Sequence, residues 1–312
     1  MQMNDKRVLY ELDFNARASL KELGKRLRMS KGNLAYNIKR LEKDGIIKSY
    51  YMVPDTTKMG LTSYKMMVKY QNITSRIEER MLSELKKAKE VGWIAKCEGA
   101  YDLVFICWVK TPFEFERFLT RFMNSYSQYF YLRDIIILTE NHACRKSYLV
   151  EEDVDKEEVF YKGEPKNICD ETDIAIIDAL AKNAKESNVD IAEIIGLTPE
   201  AVVYRIKQLR KKGIIATFRP RIDLGKLGYR YYNVMFRLRS TSILPQFFAY
   251  MGARKSISYY ARYLGNYDVG IDIEIESPEK FRGLIDEIRG KFGEHIINYD
   301  YVLIYEELKI TY

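Results

Sequence analysis

Apolar residues recur at helical spacing in three short runs near the start of the chain. Val8, Leu9 and Leu12 share one face of a helix over roughly Asp5–Leu12; a second helix runs to about Leu27; Leu34, Ile38 and Leu41 stripe a third that ends before Gly45. Ser19-x-x-Glu22 has the form of a capping box at the second helix, Ser30 caps the third, and Arg28-Met29 is the turn between them. A strand follows from Ile46 to Val53. Beyond Gly60 the period changes: Leu61–Tyr70, Val91–Lys96, Tyr101–Val109 and Tyr129–Thr139 read as strands, with amphipathic helices over Arg76–Lys89 and Pro112–Met123. That order, βαββαβ, predicts a ferredoxin-like sandwich with its helices on one face of an antiparallel sheet.

The whole pattern then recurs. Displaced by 168 positions, Asp5 falls on Asp173, Leu12 on Leu180, Tyr36 on Tyr204 and Gly45-Ile46-Ile47 on Gly213-Ile214-Ile215; after a two-residue slip, Gly99-x-Tyr101-Asp102 falls on Gly265-x-Tyr267-Asp268. A unit of this length is too long for a solenoid repeat, so the chain is a tandem duplication of a two-part protein. In the second copy Ser187-x-x-Asp190 opens helix two, Thr198-Pro199 opens helix three, and Val202, Ile206 and Leu209 form its stripe. A strand over Ile214–Ile222 and a second βαββαβ run from Tyr229 to Ile310 complete it. The expected fold class is α+β. Its divisions fall at 1–58 and 171–226 for the helical modules, 59–142 and 227–312 for the sheet modules, and 143–170 for an acidic, aperiodic linker.

In each helical module, two helices joined by a tight turn, the second short and capped, describe a helix-turn-helix; the strand that follows would make it winged. The exposed face of helix three would then enter the major groove. Spacing puts Asn33, Tyr36, Asn37 and Arg40 on that face with Lys31 at its start, and Ala201, Tyr204, Arg205 and Gln208 at the matching positions of the second copy. Arginine suits guanine, and asparagine and glutamine suit adenine, through paired hydrogen bonds. Either tyrosine would equally fit a packing role against helix two.

Charge supports a polyanionic partner. Residues 1–50 carry twelve lysines and arginines against six acids, whereas 151–158 is an acidic run. The four cysteines form no C-x-x-C pair, and neither histidine stands at ligand spacing from two of them, so neither zinc nor another cofactor is expected. With no signal peptide and no apolar run near membrane-spanning length, a reducing cytoplasm is the expected compartment. No phosphate loop or nucleophile motif argues for an enzyme.

The two sheets differ. Val104, Ile106 and Trp108 alternate with Leu103, Phe105 and Cys107, a pattern of burial on both faces; the second copy has Gly270, Asp272 and Glu274 instead, expected beside Arg237 and Arg239. This second sheet is expected to pack against another sheet through a mixed polar interface. Whether that sheet belongs to the same chain or to a second one is open at this point.

A helix-turn-helix followed by βαββαβ, with Gly-Ile-Ile after the third helix and Gly-x-Tyr-Asp in the sheet module, closely resembles the Lrp/AsnC family, the feast/famine transcription regulators of bacteria and archaea. The resemblance covers nearly the whole chain, twice. It implies a regulator that binds double-stranded DNA, assembles into homo-oligomers through its sheet (RAM-type) domains, and takes a small effector, commonly an amino acid, near the Gly-x-x-Asp turn. Carried over, that turn is Gly99, Tyr101 and Asp102, and again Gly265, Tyr267 and Asp268. The arginine usual in the family's third helix is kept as Arg205 and replaced by Asn37 in the first copy.

Two other readings stay open. An architectural DNA-coating protein would also use the basic first module, through salt-sensitive contacts. Sirohaem decarboxylases look like this family too, with histidines early in the sheet domain; here that region is Ser63–Met67 and Tyr231–Met235, without histidine.

Overall fold

The computed structural model describes residues 3–151 and 158–311. The first copy opens with α1 (Met3–Phe14), α2 (Leu20–Leu27) and α3 (Lys31–Lys43), then β1 (Ile47–Pro54). Its sheet module follows as β2 (Thr62–Tyr70), α4 (Ser75–Lys87), β3 (Val91–Gly99), β4 (Leu103–Val109), α5 (Pro112–Tyr126) and β5 (Phe130–Cys144). A short strand, β6 (Glu158–Lys162), precedes the second copy. That copy repeats the plan as α6 (Glu171–Lys182), α7 (Asn188–Ile195), α8 (Pro199–Lys211), β7 (Ile215–Ile222), β8 (Arg230–Leu238), α9 (Leu244–Gly252), β9 (Ile257–Leu264), β10 (Val269–Ile275), α10 (Pro278–Phe292) and β11 (Ile296–Ile310). The α+β class and the duplicated order are as the sequence predicts.

Helix starts follow their caps. The hydroxyls of Ser19, Ser30, Ser187 and Thr198 accept the backbone N–H three residues on. Glu22, expected to complete a capping box, gives its carboxylate to Arg26 at 3.0 Å instead. A reciprocal box stands at α6, between Asp170 and Asp173.

The sheets answer the question of pairing. Within each copy the strands run β5-β2-β4-β3 and β11-β8-β10-β9, and the two sets join edge to edge, β3 to β11 and β5 to β9, into a closed ring. Two long strands make the closure. The first half of β5 pairs with β2 of its own copy and the second half with β9, while β11 serves β8 and then β3. Such closure removes the exposed edges each sheet would otherwise carry. The outer face of each sheet packs on its own helices, Phe105 with Phe118 and Phe122 in one copy and Phe236 with Phe247 in the other. The inner faces meet one another, burying Met67, Val104, Met235 and Val302.

The strand after each helix-turn-helix also pairs across copies. β1 and β7 form a two-stranded antiparallel ribbon in which Tyr51 lies opposite Arg219. Each head therefore shares its strand with the other.

The segment expected as a linker is tied down where it is described. Lys146 and Tyr148 both bond to Glu274, the Lys146 backbone N–H donates to Asp13 at 2.9 Å, and β6 pairs with the end of β5. The acidic run expected at 151–158 lies largely outside the described residues.

Candidate nucleic-acid interface and the seam between the copies

The third helix of each head carries the expected reading residues on caps that fix its first turn. Lys31, Asn33 and Tyr36 of α3 are exposed, Tyr36 with 66 % of its surface free, and its counterpart Tyr204 on α8 keeps 62 %. The tyrosines therefore face outward rather than against helix two. Lys39 and Lys207, which are not among the residues expected from spacing, stand beside them, exposed at matching positions. Ala201 and Gln208 are half-buried.

Three of the expected residues are placed otherwise. Asn37 is buried, because it stands three residues after Leu34 and four before Leu41, inside the apolar stripe. Arg40 turns back onto Asp5 of α1, itself buried. Arg205 does the same in the second head, donating to Asp170 at 2.5 Å and Asp173 at 3.0 Å. Asp5 and Asp173 are equivalent positions, so each head holds a buried acid with one guanidinium from its third helix. The arginine comes from position 40 in one head and from the equivalent of position 37 in the other.

The heads are locked together by near-symmetric contacts. Lys226 donates to the carbonyl of Asp44 at 2.5 Å, and its equivalent Lys58 to the carbonyl of Gly213 at 3.3 Å. Arg17, half-buried in the connection between α1 and α2, reaches into the second head and donates to the carbonyls of Ala184 (2.8 Å) and Glu186 (2.7 Å) and to Asn188 Oδ1 (2.8 Å). Burial pushes its pKa down from the ordinary arginine value. Among the described contacts these fix the two third helices relative to one another.

The Gly-x-Tyr-Asp turns, expected at an effector site, sit in the seam between the two sheets. Tyr101 donates to Asp134 at 2.5 Å, Tyr267 to Asp300 at 2.9 Å, and the two hydroxyls stand 2.9 Å apart where the copies meet. Both phenols are buried, and burial with the neighbouring carboxylates pushes each upward, Tyr267 to about 12. Gly99 (φ +120°) and Gly265 (φ +141°) lie against the other copy's last strand; a Cβ on Gly99 would meet the Tyr301 carbonyl oxygen at 2.6 Å, and one on Gly265 would meet Ile136 at 2.9 Å. Asp102 accepts from Lys69 (2.8 Å) and from the Tyr70 N–H (2.7 Å), and Asp268 from the Leu238 N–H (2.7 Å). All six residues are thus engaged in the turns and the seam.

The expected polar interface on the second sheet has a different cation from the one anticipated. Arg237 and Arg239 are exposed. The partner of Asp272 comes from the first copy: Lys65 donates to Asn233 Oδ1 at 2.8 Å and to the Tyr263 hydroxyl at 3.3 Å, and Asn233 and Tyr231 donate to Asp272. Burial holds Lys65 down to about 8 and pushes Asp272 up. Room for this network depends on Gly270, where a Cβ would fall 2.1 Å from the Tyr263 hydroxyl.

Among the described residues, no helix is long and apolar enough to cross a membrane, and no cluster of three His, Cys, Asp or Glu side chains could hold a metal ion.

A family model for winged helix-turn-helix DNA-binding domains matches residues 3–48 and 170–216, one head each. The HTH-type transcriptional regulator Ptr1 of Methanocaldococcus jannaschii is 30 % identical over 115 residues, 37 % of this chain and 76 % of that protein. LrpB of Bacillus subtilis, also an HTH-type transcriptional regulator, is 27 % identical over 143 residues, which span 46 % of this chain and 93 % of LrpB. Among solved structures, the siroheme decarboxylase NirDL covers 99 % of this chain and 94 % of its own with a TM-score of 0.62 at 12 % identity, a likeness of fold.

Proposed function

The chain belongs to the Lrp/AsnC family of DNA-binding, helix-turn-helix transcription regulators, and from that premise we propose that a single chain reads one asymmetric DNA site with two unlike heads. The observation that carries this reading is the internal pairing of β1 with β7 and of the two sheets, which builds from one chain an arrangement that would otherwise take two. Identical heads read palindromes, with half-sites about one helical turn (roughly 34 Å) apart. Heads that differ at their exposed positions call for half-sites that differ.

The reading face on this proposal is Lys31, Asn33, Tyr36 and Lys39 in the first head, and Ala201, Tyr204, Lys207 and Gln208 in the second. Lys31 and Lys39 serve phosphates, Asn33 and Gln208 serve base edges, and the tyrosines pack into the groove. Arg40, Arg205 and Asn37 are assigned to the frame of the heads instead, and the Gly99 and Gly265 turns to the seam. The chain acts as a binding protein and not as an enzyme; its curated relatives are named as regulators, and its likeness to the decarboxylase is one of fold. A colourless purified protein without porphyrin affinity is the expected result.

The test is selection of bound fragments from the source genome, then binding of the best fragment and a scrambled control across a salt series. A non-palindromic motif preferred about a thousandfold or more supports the proposal. A palindromic motif, with two chains bound per site, overturns it. Equal and steeply salt-dependent binding to both fragments points to an architectural protein instead.

A further inference from the structure

Between the two sheets, with β1 of the first head as one wall, lies a cavity of about 180 Å³. The two tryptophans of the chain, Trp93 and Trp108, both line it, joined by Tyr231 and apolar residues such as Ile106 and Leu138. None of these residues belongs to the reading face proposed for either head.

The charges on the walls do not balance. Among the described lining residues Lys65 is the one cation, against the carboxylates of Asp272, Glu307 and Glu140. Glu140 is answered from outside the cavity by Lys162 at 2.9 Å and by His142 at 2.9 Å. Of the other two, Asp272 is the one on which Lys65 acts. Asp272 takes hydrogen bonds from Tyr231 and Asn233, and Glu307 from the indole N–H of Trp93 at 2.9 Å. From outside the cavity lining, Arg221, which donates to the Glu307 backbone carbonyl, and Lys146, which is paired with Glu274, also act on Glu307. Burial pushes both Asp272 and Glu307 upward. Asp272 accepts from the Tyr231 hydroxyl at 2.9 Å, and Glu307 lies near enough to act on the same phenol.

An aromatic wall beside an excess of lining carboxylate, half-buried at Asp272 and Glu307, favours a cation, through ion pairing and through attraction to the ring faces. Apolar walls around a few polar groups suit a small organic body. We propose that this cavity is a binding site for a small primary amine with an apolar body, its ammonium on the Asp272 and Glu307 side and its body against Trp93 and Trp108. An anion would meet two like charges there. A zwitterion would bring a carboxylate to the same wall, and Lys65 already donates to Asn233 and Tyr263.

Because the cavity holds both tryptophans, intrinsic fluorescence of the full chain reports on it without a label and without DNA. Titration with phenethylamine should change the emission saturably, at concentrations at least tenfold lower than 3-phenylpropionate or L-phenylalanine require. Glu307→Gln, which keeps the size of the side chain, should weaken the amine at least tenfold while leaving the thermal unfolding transition cooperative. If that variant does not fold, Asp272→Asn serves in the same way. Equal or tighter binding of the anion or the zwitterion would overturn the proposal. So would a phenethylamine response unchanged by the substitution, or no saturable response to the amine.

Discussion

The ammonium of Lys65 donates to the side-chain carbonyl of Asn233 at 2.8 Å, and these two residues occupy the same position of the two copies. Two identical chains related by a dyad would set that position against itself, lysine on lysine. A duplicated chain is free of that constraint, and here a cation meets an amide that in turn bonds to Asp272. Tyr51 and Arg219, opposed in the β1–β7 ribbon, are also equivalent positions that have become unlike. In both places the complementarity requires one first copy and one second copy. The divergence therefore favours pairing within the chain over pairing between two first copies.

Removing the cation from this pair should expose what it balances. Lys65→Met leaves the half-buried Asp272 without the cation that acts on it and the buried Asn233 carbonyl without its donor. The expected cost is about 1–3 kcal/mol, the range for leaving a buried polar group without its partner. Lys65→Met with Asp272→Asn should cost less than the two single changes added together, because neither unpaired group then remains. Urea unfolding midpoints at pH 7 decide it. Additive losses would mean that the two residues do not act on each other.

The same lysine gives stability a dependence on pH. Its folded value, held down to about 8 by burial, lies below the unfolded value of about 10.4, so the folded chain gives up this proton first. Stability should therefore rise with pH above 8, by about 1–2 kcal/mol by pH 9.5. Above about pH 10 the trend reverses, because buried phenols such as Tyr263 titrate later in the folded chain than in the unfolded one. Asp272 has the opposite sense on the acid side: its value is raised in the folded chain, so stability from this group is gained as pH falls toward the ordinary carboxylate range. Unfolding at pH 8 and 9.5 in the wild type and in Lys65→Met separates the lysine's share; a rise that persists in the variant belongs to another group.

Gly270 and Tyr263 form a matched pair. Their equivalents in the first copy are Val104 and Cys97, so a large ring beside glycine replaces a small side chain beside valine. Gly270→Val should destabilise by about 2–3 kcal/mol, since its Cβ alone would fall 2.1 Å from the Tyr263 hydroxyl. Gly270→Val with Tyr263→Cys rebuilds the first copy's pair and should recover more than half of that loss in thermal unfolding. A double variant no more stable than the single one would show that the collision is not what the glycine relieves.

The order of elements was legible because each has its own local signature: stripes at helical spacing, caps, and glycine after the third helix. Strand partners across the copies were not. The alternation along Phe130–Cys144 says which side chains face inward, but it names no partner, and β5 changes partner from β2 to β9 along its length. The Gly-x-Tyr-Asp turns are visible in the sequence as a repeated motif, but the reason for glycine at Gly99 includes Tyr301 of the distant strand β11, which local spacing cannot reveal. Asn37 is another matter. Its place in the stripe of Leu34 and Leu41 was readable, and its polarity drew it to the wrong face.

The two heads offer an exchange that separates frame from reading face. The guanidinium of Arg40 and that of Arg205 serve equivalent acids, Asp5 and Asp173, from positions three residues apart on the third helix. Arg40→Gln should destabilise by about 1–3 kcal/mol, because it takes the guanidinium away from the buried Asp5 carboxylate. The matching loss for Arg205→Ala should be smaller, about 1 kcal/mol or less, because Asp170, one of its two partners, is exposed. Asn37→Arg with Arg40→Gln gives the first head the second head's arrangement and should restore most of the stability lost by Arg40→Gln alone. In the restored protein the selected DNA motif should be unchanged, whereas Tyr36→Ala should weaken binding to that motif about tenfold without lowering stability. A motif that shifts on moving the arginine, at full stability, would return Arg40 to the reading face.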